Sequence, residues 1–308
     1  MQTVTFNSIE KLDFRTKESY KTLRTNLEFS GKDRKVISIT SSTPNEGKTS
    51  VSFQLALSIA EGGKKVVLVD ADLRKSVLKG RYKTNAARYG LSHYLSGQAS
   101  ISDISCKTNI PDFYVIFSGP VPPNPSELLG NDAFRLLLEY LRKEYDYVIV
   151  DMPPLGSVID GAVAAQHCDG TVIVVESGAI SYKFAQKVKE QLEKVDCRIL
   201  GVILNKVNMS GKGYYGAYYG KYYGKYYGKY YGNDDEGGLH AAVVQKGTKA
   251  AKAVKGDTGE RSHEGKNGSG SGKEKGLEEN GYPEDDMIQL DIDMVQLVED
   301  TETIEELK

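Results

Sequence analysis

A lysine and a threonine at the end of a polar loop, and three aspartates at the ends of apolar runs, could do chemistry together. In "SITSSTPNEGKTS" an apolar run leads through a polar loop into Gly47-Lys48-Thr49. A loop of this kind, opening a helix, turns backbone N–H groups and the helix N-terminus toward phosphates. Lys48 would reach the β/γ-phosphates and the Thr49 hydroxyl would bind Mg²⁺. The phosphate-binding candidates are Thr43, Pro44, Asn45, Glu46, Gly47, Lys48, Thr49 and Ser50. Ser42 stands where the standard pattern has its first glycine.

Two carboxylate motifs follow. In "VVLVDADLRK" Asp70 and Asp72 end an apolar run, at the strand end where open α/β sheets bind ligands. Two such carboxylates could serve one metal–phosphate site, one as base and one near Mg²⁺. In "YVIVDMPP" Asp151 ends four apolar residues and matches a Walker B carboxylate. The prolines after it stop an ordinary strand. Either carboxylate motif alone would fit a plain strand end. All three motifs, in order and each at a strand end, are hard to reach by chance.

The elements that must position these residues are legible as alternation. Apolar runs occur at 35–42, 65–72, 113–119, 147–153, 170–177 and 198–207. Several are unbroken Val/Ile/Leu stretches, as expected of strands buried on both faces. Helical patterns lie at about 47–62, 125–144, 157–167 and 181–196. This predicts an α/β fold, P-loop NTPase-like, with a mostly parallel sheet sandwiched by helices and a disordered C-terminal tail. Residues 1–33 read as polar with one amphipathic helix, on which Tyr20, Leu23 and Leu27 share a face. The predicted segments are 1–33, a nucleotide-binding domain at 34–208, a tyrosine-rich cluster at 209–232 and a low-complexity acidic tail at 233–308.

The chain has 308 residues and a formal net charge of −2, which hides an asymmetry. Residues 1–232 carry 31 basic and 23 acidic side chains, net +8; residues 233–308 carry 9 and 19, net −10. Such a split suggests an interaction segment. Residues 284–306, with Ile288, Leu290 and Ile292 alternating with polar residues, could dock on the basic body or add to a sheet edge. The three cysteines show neither metal spacing nor a disulfide framework, which fits a reducing compartment. No run approaches a membrane span and no signal-peptide pattern opens the chain.

Ten of the twenty tyrosines fall in "GYYGAYYGKYYGKYYGKYYG": Tyr214, Tyr215, Tyr218, Tyr219, Tyr222, Tyr223, Tyr226, Tyr227, Tyr230 and Tyr231. Glycine every fourth residue weakens a helix and gives a strand little to pack. An exposed, mobile segment is therefore expected there.

Together these motifs resemble the bacterial tyrosine kinases (BY-kinases) of capsule and exopolysaccharide synthesis. "SSTPNEGKTS" is similar to their Walker A, "VLVDADLR" to their extra A′ motif, "VIVDMPP" to their Walker B and "SGPVPPNPSELL" to a further family segment. The tyrosine repeat looks like their autophosphorylation cluster. The resemblance covers roughly residues 10–232. It implies a deviant-Walker ATPase-like fold, ATP and Mg²⁺ as cofactors, and tyrosines of a neighbouring subunit as acceptors. It implies Lys48, Asp70 and Asp72 as catalytic residues, with Asp70 as base for the tyrosine hydroxyl. Thr49, Asp72 and Asp151 would form the metal site, and Asn205 would contact adenine. A ring-like homo-oligomer would use Glu18, Lys21 and Arg24, with lysine where the family has its first arginine. The resemblance also implies a membrane-spanning polysaccharide co-polymerase as modulator, a cognate tyrosine phosphatase, and a cytoplasmic protein recruited to the inner face of the membrane. The 76 residues after the cluster have no family role to inherit.

Three other readings compete. A partitioning-type deviant-Walker ATPase would carry a signature lysine at position 43, where this chain has threonine. A nucleic-acid-binding module could stack bases on the repeat, but Lys221, Lys225 and Lys229 are a thin electrostatic footprint. A self-associating aromatic scaffold would leave the phosphate motifs unexplained.

Overall fold

A computed structural model of the protein describes residues 1–84, 87–156 and 160–207. The tyrosine cluster, the acidic tail and the strand-like stretch around Ile288 lie outside the described residues.

Among the described residues eight strands form one sheet. In chain order these are β1 (Gln2–Thr3), β2 (Val36–Ser41), β3 (Val66–Asp70), β4 (Cys106–Lys107), β5 (Phe113–Ile116), β6 (Tyr147–Asp151), β7 (Gly170–Glu176) and β8 (Ile199–Asn205). Their spatial order is β1-β4-β5-β3-β6-β2-β7-β8. The six strands from β5 to β8 are mutually parallel; β4 runs antiparallel to β5, and β1 runs parallel to β4. Each of the six predicted strands is present, trimmed by a residue or more at one or both ends.

The unbroken apolar runs have the predicted cause. Alternate residues of each strand enter different cores. Ile37, Ile39, Val66, Leu68 and Ile149 pack with Leu23 and Leu27 of α1 (Phe14–Phe29) and with Phe53, Leu55 and Ile59 of α2 (Lys48–Glu61). Val36, Val67, Val69, Val148 and Val150 pack on the other face with Leu137 and Leu141. Those two leucines belong to α7 (Asp132–Glu144), and a third cluster lies under α9 (Tyr182–Glu193).

The structure corrects two expectations. Residues 1–33 are not simply polar: Val4 and Phe6 are buried. Phe6 meets Phe53 edge-on at 4.9 Å, and Tyr82 stacks on Phe53 at 3.7 Å. The helical pattern at 125–144 is two helices, α6 (Pro125–Leu129) and α7. Gly130 ends α6 where a Cβ would come within 2.9 Å of Val163, and Asn131 caps α7 by accepting the Phe134 N–H at 3.1 Å. The sequence reading also passed over α3 (Leu78–Arg81), α4 (Leu91–Leu95) and α5 (Ile101–Ile104). The remaining helix, α8 (Asp160–Ala165), falls inside the pattern at 157–167.

Candidate active site

Three strand ends converge. β2 delivers the loop from Ser42 to Gly47, which opens α2; β3 ends at Asp70 and β6 at Asp151. Asp70 and Asp151 are register partners on adjacent strands. The loop is held by its own chemistry. Asn45 and Gly47 both take left-handed backbone, at φ 72° and 96°. Glu46, buried, accepts the Thr43 N–H at 2.6 Å and the Glu176 N–H at 3.3 Å. Asn205, at the end of β8, donates to the Glu46 carbonyl at 2.8 Å. Next to it Lys206 donates to the Asn45 carbonyl at 2.8 Å and pairs with Glu176 at 2.6 Å. Pro44 and Asn45 are exposed at the turn.

Lys48 lies at the centre. Its ammonium is 3.1 Å from Asp72, 3.7 Å from Asp151 and 3.3 Å from the Thr49 hydroxyl. Burial alone would lower its pKa, but the charges of Asp151 and Asp72 more than offset that and raise it. Lys48 is therefore a fixed cation. Asp151 accepts from the Ser52 hydroxyl at 3.2 Å, and Asp72 accepts the Lys75 N–H at 3.0 Å. Burial pushes the Asp151 carboxyl above the ordinary range, against the pull of Lys48.

Asp70 differs from both. It is buried, one of its oxygens accepts from the Ser76 hydroxyl, and its Oδ1 has no hydrogen-bond partner. Burial, then the charge of Asp151, pushes its pKa up to about 7, with Ser76 and Lys48 resisting.

The structure thus brings Lys48, Thr49, Asp70, Asp72 and Asp151 together at one place. Three predicted positions fall elsewhere. Glu18 and Lys21 pair with each other at 2.6 Å on the surface of α1. Arg24 donates to the Ser58 carbonyl at 2.6 Å, near the end of α2, where Gly62 leaves room for it.

Sequence reasoning missed a second layer. Arg74, two residues past Asp72, grips the buried Asp160 with two nitrogens at 2.6 and 3.1 Å. The Ser126 hydroxyl also donates to Asp160. These contacts outweigh burial and hold the Asp160 carboxyl below its ordinary pKa. They tie the loop after β3 to α6 and α8. No sequence signal joins residues 86 positions apart, although Arg74 stands inside the quoted A′ motif.

A cradle that a Cβ on Gly47 would invade, a buried cation facing two carboxylates, and a hydroxyl beside them fit a magnesium nucleotide. Mg²⁺ is usually held by one or two carboxylates with substrate phosphates and water. Comparison with known proteins agrees. Residues 34–204 match the family model described as an AAA domain. The tyrosine-protein kinase CpsD of Streptococcus agalactiae is 46% identical over 200 residues, 65% of this chain and 87% of that protein. The chain belongs to the bacterial tyrosine kinases. Another family member, YwqD of Bacillus subtilis, is 38% identical over 204 residues, 65% of this chain and 86% of its own. The solved structure of the kinase domain of Escherichia coli tyrosine kinase ETK superposes with a TM-score of 0.61 at 37% identity, covering 65% of this chain and 78% of that one. This tyrosine kinase chain therefore has the P-loop NTPase-like fold of the family. Among its described residues no helix is long and apolar enough to cross a membrane.

Proposed function

We propose that the protein transfers the γ-phosphoryl group of ATP to tyrosines of the 209–232 cluster on neighbouring copies, and thereby regulates synthesis or export of a capsular or extracellular polysaccharide. The observation that carries this reading is the buried Asp70 carboxyl, with one unpartnered oxygen, beside a lysine fixed by Asp72 and Asp151. A base whose pKa lies near the working pH is best placed to take a proton.

The residues divide the work. The loop Thr43–Ser50 holds the phosphates through its backbone N–H groups, and Lys48 balances their charge. Thr49, Asp72 and Asp151 would hold Mg²⁺, which when bound neutralises charge on the phosphates. Asp70 takes the proton from the tyrosine hydroxyl as that oxygen bonds to the γ-phosphorus. The bond from that phosphorus to the β–γ bridging oxygen breaks, and ADP leaves. Asn205 steadies the loop through the Glu46 carbonyl and is the proposed contact for adenine. Residues 1–33 carry the oligomerisation surface of Glu18, Lys21 and Arg24, 34–208 the kinase and 233–308 an acidic tail. A membrane-spanning modulator, a cognate phosphatase and recruitment to the inner face of the membrane complete the proposed setting.

Mixing tests transfer between subunits. A Lys48→Met chain that keeps its tyrosines is incubated with MgATP and a chain whose ten cluster tyrosines are phenylalanine. Phosphate on the Lys48→Met chain is the expected result. A Lys48→Met chain that stays free of phosphate, while wild-type protein under the same conditions gains it, would overturn transfer in trans.

A further inference from the structure

Between Asp72 and Asp103 the chain has no acidic residue, but it has Arg74, Lys75, Lys79, Arg81, Lys83 and Arg88. The first part of this stretch, from Arg74 to Arg81, borders the candidate site, while Lys83 and Arg88 lie by Asn7 and Gln2. The Lys75 N–H bonds Asp72 at 3.0 Å, the Ser76 hydroxyl bonds Asp70, and Arg81 donates to the Ser50 hydroxyl at 2.8 Å. Arg74 is committed to Asp160. Lys79 lies over the Phe117 ring and Arg88 over that of Tyr89, each at 5.1 Å. Lys75, Arg81, Lys83 and Arg88 are exposed. Among the described residues, none of the five cations other than Arg74 has a carboxylate within ion-pairing distance. Lys75 and Arg81 thus put a rim of positive charge beside the site that no carboxylate among the described residues pairs with.

We infer that this rim is a specificity surface for phosphotyrosine: it favours an acceptor segment that already carries phosphate one repeat away from the tyrosine being modified. This rests on the kinase reading above and adds to it a preferred substrate form. The length scales agree. Lys75 is three residues from Asp72, so their Cα atoms lie within about 11 Å, and one four-residue repeat spans at most about 14 Å. Each phosphate brings about −1.5 to −2 charges and three acceptor oxygens. Lysine and arginine beside the site would hold it while the next tyrosine enters. The acidic residues 284–306 are the competing occupant. They lack both the repeat spacing and a reason to arrive at the mouth, whereas an acceptor must come there.

The consequence is measurable in the order of modification. A first phosphate makes its own segment the better substrate, by about fivefold for two or three exposed charge contacts. Phosphate then gathers on few chains. Dephosphorylated full-length protein is incubated with MgATP and stopped when each chain carries two phosphates on average. Intact mass is expected to show an excess of unmodified and of heavily modified chains over a binomial distribution. The Lys75→Gln variant, stopped at the same average, is expected to fall toward the binomial form, and Lys75→Arg to keep the wild-type form. Raising salt should move wild type toward the binomial, because screening shortens the reach of exposed charges. A binomial wild type, or an unchanged Gln variant, overturns the inference while leaving the kinase reading intact. Loss of the skew on adding a 284–306 peptide, with no loss on adding a phosphotyrosine repeat peptide, also overturns it and assigns the rim to the acidic end. Absence of any tyrosine phosphate overturns both readings.

Discussion

Asp70 and Asp151 face each other as register partners at the ends of β3 and β6, two buried carboxyls on neighbouring strands. Lys48 stands within 3.7 Å of Asp151 and 3.1 Å of Asp72 but forms no ion pair with Asp70. The asymmetry leaves Asp72 and Asp151 paired to a cation and Asp70 with one oxygen unpartnered.

The first prediction concerns pH. The Asp70 pKa is about 7 in the folded protein and ordinary in the unfolded chain. A carboxyl raised on folding contributes stability at low pH and loses it as pH rises through the folded value. The Asp70 contribution should therefore fall between about pH 4 and 7. Asp70→Asn is expected to raise Tm at pH 8 relative to wild type, with the difference vanishing near pH 4, and to abolish phosphate transfer. Thermal melts across that window check it.

Gly47 has no substitute. A Cβ there would lie 2.2 Å from the Asn205 amide nitrogen, and φ is 96°. Gly47→Ala should cost about 1–2 kcal/mol in backbone strain alone. It is also expected to displace Asn205 from Glu46 and weaken nucleotide binding by at least about tenfold, read by titration calorimetry with MgADP.

Far from the site, Asp169 closes the start of β2. It accepts the Lys35 and Val36 N–H groups at 2.8 Å and both ends of the Arg142 fork at 2.7 and 2.6 Å. Asp169→Ala leaves those N–H groups without that partner and should cost about 2–3 kcal/mol. Denaturant unfolding should show the loss, while the MgADP affinity stays within about twofold of wild type.

Arg24 of α1 donates to the Ser58 carbonyl near the end of α2. Arg24→Ala is expected to cost about 1 kcal/mol of stability even at concentrations where the protein is monomeric. Melting of the monomer fraction measures that cost, and sedimentation at higher concentration measures any separate loss of assembly.

The charge arithmetic of the repeat carries the last prediction. Ten phosphates add about −15 to −20 charges to residues 1–232, which begin at +8. Full phosphorylation should break the oligomer by self-repulsion. A fully phosphorylated form that sediments as the unphosphorylated oligomer does would refute this.

The sheet was legible in the sequence because parallel strands buried on both faces leave unbroken apolar runs, as Val66–Asp70 and Tyr147–Asp151 do. The carboxylates that cluster around Lys48 were legible because they stand at the ends of those runs. The Asp160 clamp was not, because Arg74, Ser126 and Asp160 meet only after three loops close. Val4 and Phe6 alternate as strand residues do, but two apolar side chains in a polar stretch are too short a pattern to read. The bond from Arg24 to the Ser58 carbonyl was not legible either, because only the folded α2 brings that carbonyl to α1.

The most direct measurement is the intact mass of dephosphorylated full-length protein after incubation with MgATP and a modulator fragment, beside a Lys48→Met control. A ladder of single-phosphate steps that maps to Tyr214–Tyr231 and is missing from the control is the result predicted. ATP hydrolysis without any phosphate on those tyrosines, with the modulator present, would contradict the account and favour a partitioning-type ATPase.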